Sequence, residues 1–98
     1  MIKTSNKNSS EYTTRRINFK GSHLFAEVNN NGWYVVYSYG YHFPIYAYIN
    51  GAWIKNSDKY SVSTSRHQSQ AEPDISWVGQ KEMFLMNTQE LKSALQKS

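Results

Sequence analysis

Asn50-Gly51 stands between two strongly apolar runs, Phe43-Pro44-Ile45-Tyr46-Ala47-Tyr48-Ile49 before it and Ala52-Trp53-Ile54-Lys55 after it. A two-residue connection of this composition predicts a type I′ hairpin, because both central residues need positive φ and Asn and Gly supply it at least cost. The turn sets the pairing: Ile49 faces Ala52, Tyr48 faces Trp53, Ala47 faces Ile54 and Tyr46 faces Lys55. Side chains alternate across a strand, so the hairpin divides into two unlike surfaces. One carries Phe43, Ile45, Ala47, Ile49, Ala52 and Ile54 and suits a core. The other carries Tyr46, Tyr48 and Trp53 beside Lys55, large rings with polar handles next to a cation.

Short runs rich in Tyr, Val, Ile, Trp, Phe and Thr, punctuated by Asn and Gly, predict further strands at 12–19, 23–28 and 33–39, with a turn at Asn29-Asn30-Asn31-Gly32. Alternation in Tyr60-Ser61-Val62-Ser63-Thr64 predicts another strand, and residues 82–86 a last one. Between these two, Ser65-Arg66-His67-Gln68-Ser69-Gln70-Ala71 lacks strand formers and reads as a loop or as a short helix capped by Ser65 and ended by Pro73. Asn87-Thr88-Gln89-Glu90 has the spacing of a capping box, and Leu91, Ala94 and Leu95 make the apolar stripe of a helix that needs the sheet to hold it. The expected fold is α+β, a small antiparallel sheet of five to six strands with a C-terminal helix. Residues 1–11 offer almost nothing to bury and read as a flexible basic arm ahead of a single domain at 12–98.

The 98 residues contain no cysteine, so neither a disulfide nor a thiolate zinc site can staple the fold, and fifteen aromatic rings must supply much of the core. The net charge of +4 invites a nucleic-acid reading, but five cations lie within residues 1–20 against Glu11 alone, while residues 21–70 supply only Lys55, Lys59 and Arg66. A phosphate-binding groove needs cations that converge on one surface. No run is long and apolar enough for a membrane span or a leader, and a cytoplasmic protein is expected.

Two groups of residues carry candidate chemistry. The aromatic hairpin side, Tyr46, Tyr48, Trp53 and Lys55, is a recognition surface if exposed and a second core layer if the C-terminal helix or the Trp77 segment covers it. Arg66 and His67, following hydroxyl-bearing residues, offer an anion contact or an acid–base group, with Lys59 and Tyr60 nearby in sequence. Neither His23 nor His42 has a carboxylate at ligand spacing. No metal site or cofactor is expected, no glycine-rich phosphate loop occurs, and no catalytic residue is assigned.

The stretches Trp33-Tyr-Val-Val-Tyr-Ser-Tyr-Gly40, His42-Phe43-Pro44-Ile45, Trp53-Ile-Lys-Asn56 and Asp58-Lys-Tyr-Ser-Val-Ser-Thr-Ser-Arg-His-Gln68 resemble a family of small proteins of bacteriophages and mobile elements, over about a third of the chain. The resemblance implies a phage-type origin and carries over no catalytic residues. Small phage accessory proteins commonly bind and block a host machine, CRISPR–Cas nucleases and other defence systems among them. Three functions therefore follow as expectations. The foremost is a non-enzymatic, anti-CRISPR-like inhibitor or adaptor that binds a host or phage protein through Tyr46, Tyr48, Trp53, Lys55, Lys59, Arg66 and His67. The second is a nucleic-acid-binding module using the basic arm and the hairpin rings. The third is a small toxin-like ribonuclease built on His67. An exposed sheet edge would also allow a homodimer by strand addition.

Overall fold

A computed structural model describes residues 2–58 and 62–96. The hairpin forms with the register that its turn demands. Asn50 and Gly51 take φ of 53° and 82°, and Ile49↔Ala52, Tyr48↔Trp53, Ala47↔Ile54 and Tyr46↔Lys55 are partners. Around it lies one seven-stranded sheet, in chain order throughout: β1 (Ile2–Lys3), β2 (Phe19–Lys20), β3 (Leu24–Val28), β4 (Tyr34–Ser38), β5 (Pro44–Ile49), β6 (Ala52–Asn56) and β7 (Phe84–Met86). The β1–β2 and β6–β7 pairs are parallel and all others antiparallel. The class is α+β as expected, with more strands than five to six; the two-residue edge strand β1 is too short for sequence periodicity to register, whereas β7 falls within the strand expected at 82–86. Among the described residues no helix is long and apolar enough to cross a membrane.

Both faces of the sheet are used. On the first, Phe19, Leu24, Ala26, Tyr34, Val36, Tyr46 and Trp53 form the larger core, closed by Tyr12 of α1 (Ser9–Thr14), by α2 (Val62–Gln70) with Ala71, and by Ile75 and Val78 of a 3-10 turn. On the second, α3 (Thr88–Gln96) lays Leu91 and Leu95 against Val35, Tyr37, Ala47 and Ile54. The capping box forms: the Asn87 amide donates to Glu90 Oε1 at 3.0 Å and the Glu90 amide to Asn87 Oδ1 at 2.8 Å.

Three expectations are corrected. First, the span 12–19 is not one strand, since α1 occupies its beginning and only Phe19 joins the sheet, as part of β2. Nor is the segment before it a loose arm. Ile2–Lys3 pairs with β2, Ser9 Oγ donates to the Gln70 carbonyl at 3.1 Å, and Ser10 Oγ donates to the Glu72 carbonyl at 2.5 Å. Hydroxyls rather than apolar groups dock it, which is why an apolar reading leaves it unattached.

Second, the expected strand at 60–64 is the start of α2 from Val62 onward, Tyr60 and Ser61 lying outside the described residues. Thr64, His67, Gln68 and Ala71 are buried at helical spacing while Val62 faces solvent, so the buried stripe is mostly polar and hydrophobic periodicity points the wrong way.

Third, the partners change from Val36↔Tyr46 to Tyr37↔Pro44, which leaves Ile45 as an extra residue in β5. Ile45 and the neighbouring Phe43 therefore join the first-face core beside Tyr46 instead of the side shared by Ala47 and Ile54. Proline, with no N–H to give a ladder, fits such an irregularity.

Candidate functional site

The hairpin rings do not make a recognition surface. Tyr46 and Trp53 are both 0% exposed. The Tyr46 hydroxyl donates to the Gln68 carbonyl of α2 at 2.7 Å, and burial holds it well above the usual tyrosine range. Trp53 meets Tyr34 edge-on at 6.0 Å, while Gln80 bonds its backbone N–H and C=O at 2.7 and 2.9 Å, filling a place in the β6 ladder. Tyr48 is partly covered, with the Arg16 guanidinium 4.5 Å above its ring. Lys55 is half-buried and Arg66 is exposed on α2, but the hairpin rings and Arg66 converge on no common opening among the described pockets. Lys59 lies outside the described residues. The second-layer alternative is the one realised, through α1, α2 and the 3-10 turn containing Trp77 rather than through α3.

His67 sits inside a small cluster at one end of the sheet. It is buried, Ser38 Oγ lies 2.8 Å from its Nδ1, and the rings of Tyr39 and His23 lie 5.2 and 5.9 Å away. Burial, then the neighbouring His23 and Arg66, push the His67 imidazole below its ordinary value, so the neutral ring is favoured. A proton-transfer group must reach the atom it serves. Here the ring is packed beneath Tyr39, with one nitrogen engaged by a buried serine, an arrangement that braces the corner. Among the described residues no group of three or more His, Asp or Glu side chains could hold a metal ion.

The exposed large side chains include Val62, Trp77, Phe84 and Leu85 as well as two tyrosines in the loop after β4. Tyr39 and Tyr41 are 55% and 63% exposed, and Tyr39 takes a φ of 68°. A side chain at positive φ costs roughly 1–2 kcal/mol relative to the right-handed region. Tyr39 is held there by its amide, which donates to the His23 carbonyl at 2.8 Å, and by ring contacts with His23 and His67. Tyr41 folds back over the second face, with Phe25 and Tyr37 at 5.0 and 5.1 Å, both close to edge-on. Its hydroxyl bonds to Glu27, which raises it above the usual tyrosine range. The row Lys3–Lys20–Phe25–Tyr37 runs across paired positions of β1 to β4 on this same face.

Strand alternation alone singles out neither Tyr39 nor Tyr41. The signal that distinguishes Tyr39 and Tyr41 is their place around Gly40, in the connection between two strands, where side chains leave the alternation that would bury them. No family model, curated protein or solved structure matches the chain.

Proposed function

We propose that this protein is a non-enzymatic accessory protein of phage type that binds a host protein and blocks or modulates it, a defence component such as a CRISPR–Cas nuclease being the class that the sequence resemblance suggests. The recognition surface in this proposal is the Tyr39–Tyr41 corner with His23, Phe25 and Lys20, in place of the hairpin rings. The observation that supports it is Tyr39, a large ring kept in solvent on a backbone conformation that glycine would adopt more easily. Strain of this kind at an exposed side chain motivates a functional reading. Aromatic anchors with few freely rotating bonds and a neighbouring cation are what binding hot spots select.

The charge distribution argues for a protein partner over nucleic acid. Arg15 pairs with Glu11 at 3.5 Å and lies 5.8 Å over Trp77, and Arg16 covers Tyr48, both on the first-face side, whereas Lys3 and Lys20 share the second face with Phe25. The excess charge is thus divided between two sides of the sheet instead of lining one groove. The test is affinity capture from the host with tagged full-length protein at moderate salt. One dominant protein should be recovered by the parent and lost with Tyr41→Ala, and the purified partner should bind directly. Recovery of nucleic acid alone, or undiminished capture by Tyr41→Ala, contradicts the proposal.

A further inference from the structure

The ring of Tyr41 is the shared wall of two hollows. One, of about 340 Å³, is lined by Lys20, His23, Phe25, Glu27 and Tyr39 as well as Tyr41. The other, of about 410 Å³, is lined by Tyr37, Tyr41, His42, Lys92 and Leu95 among others. Each hollow therefore offers one lysine, one histidine and at least two aromatic rings. Glu27 is the one carboxylate lining either, and the Tyr41 hydroxyl already engages it. Lys3, beside Lys20 in the parallel register, adds a cation at the outer end of the first hollow.

We infer that this half-face receives an extended acidic segment of the partner protein, with apolar or aromatic side chains seated on either side of Tyr41 and carboxylates reaching Lys20 with Lys3 at one end and Lys92 at the other. The inference rests on the recognition surface proposed above and adds the chemistry of its ligand. Charge complementarity chooses the occupant: cations stand at the two ends, and aromatic surface lies between them. A nucleic-acid strand brings a phosphate at every unit. It would have to pass Glu27 in the middle of the path, and the arginines that could hold phosphates bidentately, Arg15, Arg16 and Arg66, belong to the α1 and α2 side of the sheet.

The test uses fluorescence anisotropy of the full-length chain with three labelled probes: a short Asp/Glu-rich peptide containing a central tryptophan, its Asn/Gln counterpart, and an oligothymidylate. The acidic peptide should bind about tenfold or more tightly than its neutral counterpart, and Tyr41→Ala or the double change Lys20→Glu with Lys92→Glu should each weaken it by about tenfold. Circular dichroism should show the variants folded, since these side chains face the hollows. Tighter binding of the oligothymidylate, equal binding of the neutral peptide, or indifference to charge reversal overturns the inference. If the acidic peptide fails while Tyr41→Ala still abolishes partner capture, the acidic chemistry is wrong and the surface stands. If Tyr41→Ala leaves capture intact, the surface itself fails and the inference with it.

Discussion

The amide of Tyr39 donates to the carbonyl of His23 at 2.8 Å, and their rings lie 5.1 Å apart. This double tie fixes a tyrosine at a φ of 68° at the edge of the proposed binding surface. Tyr39→Gly removes the ring and relieves the backbone, whereas Tyr39→Ala removes the ring and keeps a side chain at positive φ. The glycine variant should be more stable than the alanine variant by about 1 kcal/mol in urea unfolding. Equal stabilities would show that the backbone stores no strain there.

The buried hairpin rings should behave as core. Trp53→Ala should cost about 3–5 kcal/mol, a large share of what a domain of this size possesses. Tyr46→Phe should cost about 1 kcal/mol by leaving the Gln68 carbonyl without its donor. Chemical denaturation measures both. A Trp53→Ala protein of parental stability that had lost only partner binding would return the hairpin to the role of recognition surface.

Stability should fall as pH drops through the histidine range. His67 is held below its ordinary value of 6.5 by burial, His23 and Arg66. In the window beneath that value the unfolded chain takes a proton that the native ring refuses, so protonation favours unfolding until the lower native value is passed. His67→Gln should flatten this part of a stability-against-pH curve. Further down, Asp58 contributes in the same direction. Hydrogen bonds from the Thr88 amide and hydroxyl hold its carboxylate below 3.8, so its stabilisation is present above that value and is lost as pH falls through the native one. An unchanged slope in His67→Gln between neutral and mildly acidic pH would contradict the assignment.

The reciprocal bonds of Asn87 and Glu90 start α3, which among the described residues alone supplies the helical cover of the second face. Asn87→Ala should destabilise the fold by about 1 kcal/mol, read as a lower thermal midpoint. The loss should exceed that of an exposed helix change such as Gln89→Ala, and equal effects would show that the box contributes nothing beyond propensity.

Legibility followed the kind of interaction. Asn50-Gly51 and Asn87-x-x-Glu90 act locally, through φ preference and amide capping, and both are realised as their spacing requires. Which face of the hairpin meets solvent is a long-range matter. It depended on α2, whose buried Thr64, His67 and Gln68 are polar, and on an N-terminal segment docked by serine and threonine hydroxyls, so neither element announces itself by hydrophobicity. Removing residues 1–20 to test a basic arm would delete β1, α1 and β2, and would report on folding rather than on phosphate contacts. Of the expected site residues, His67 lies beside the proposed surface, as a brace under Tyr39.

The most direct test of recognition at the Tyr39–Tyr41 corner is site-specific photocrosslinking in host cells, with a photoreactive aromatic amino acid placed at position 41 of the full-length chain. The account predicts a covalent adduct with one host protein from position 41 and none from a control position on the far side of the sheet, such as Ser76. Adducts confined to nucleic acid, or no adduct from position 41 while partner capture persists, would contradict it.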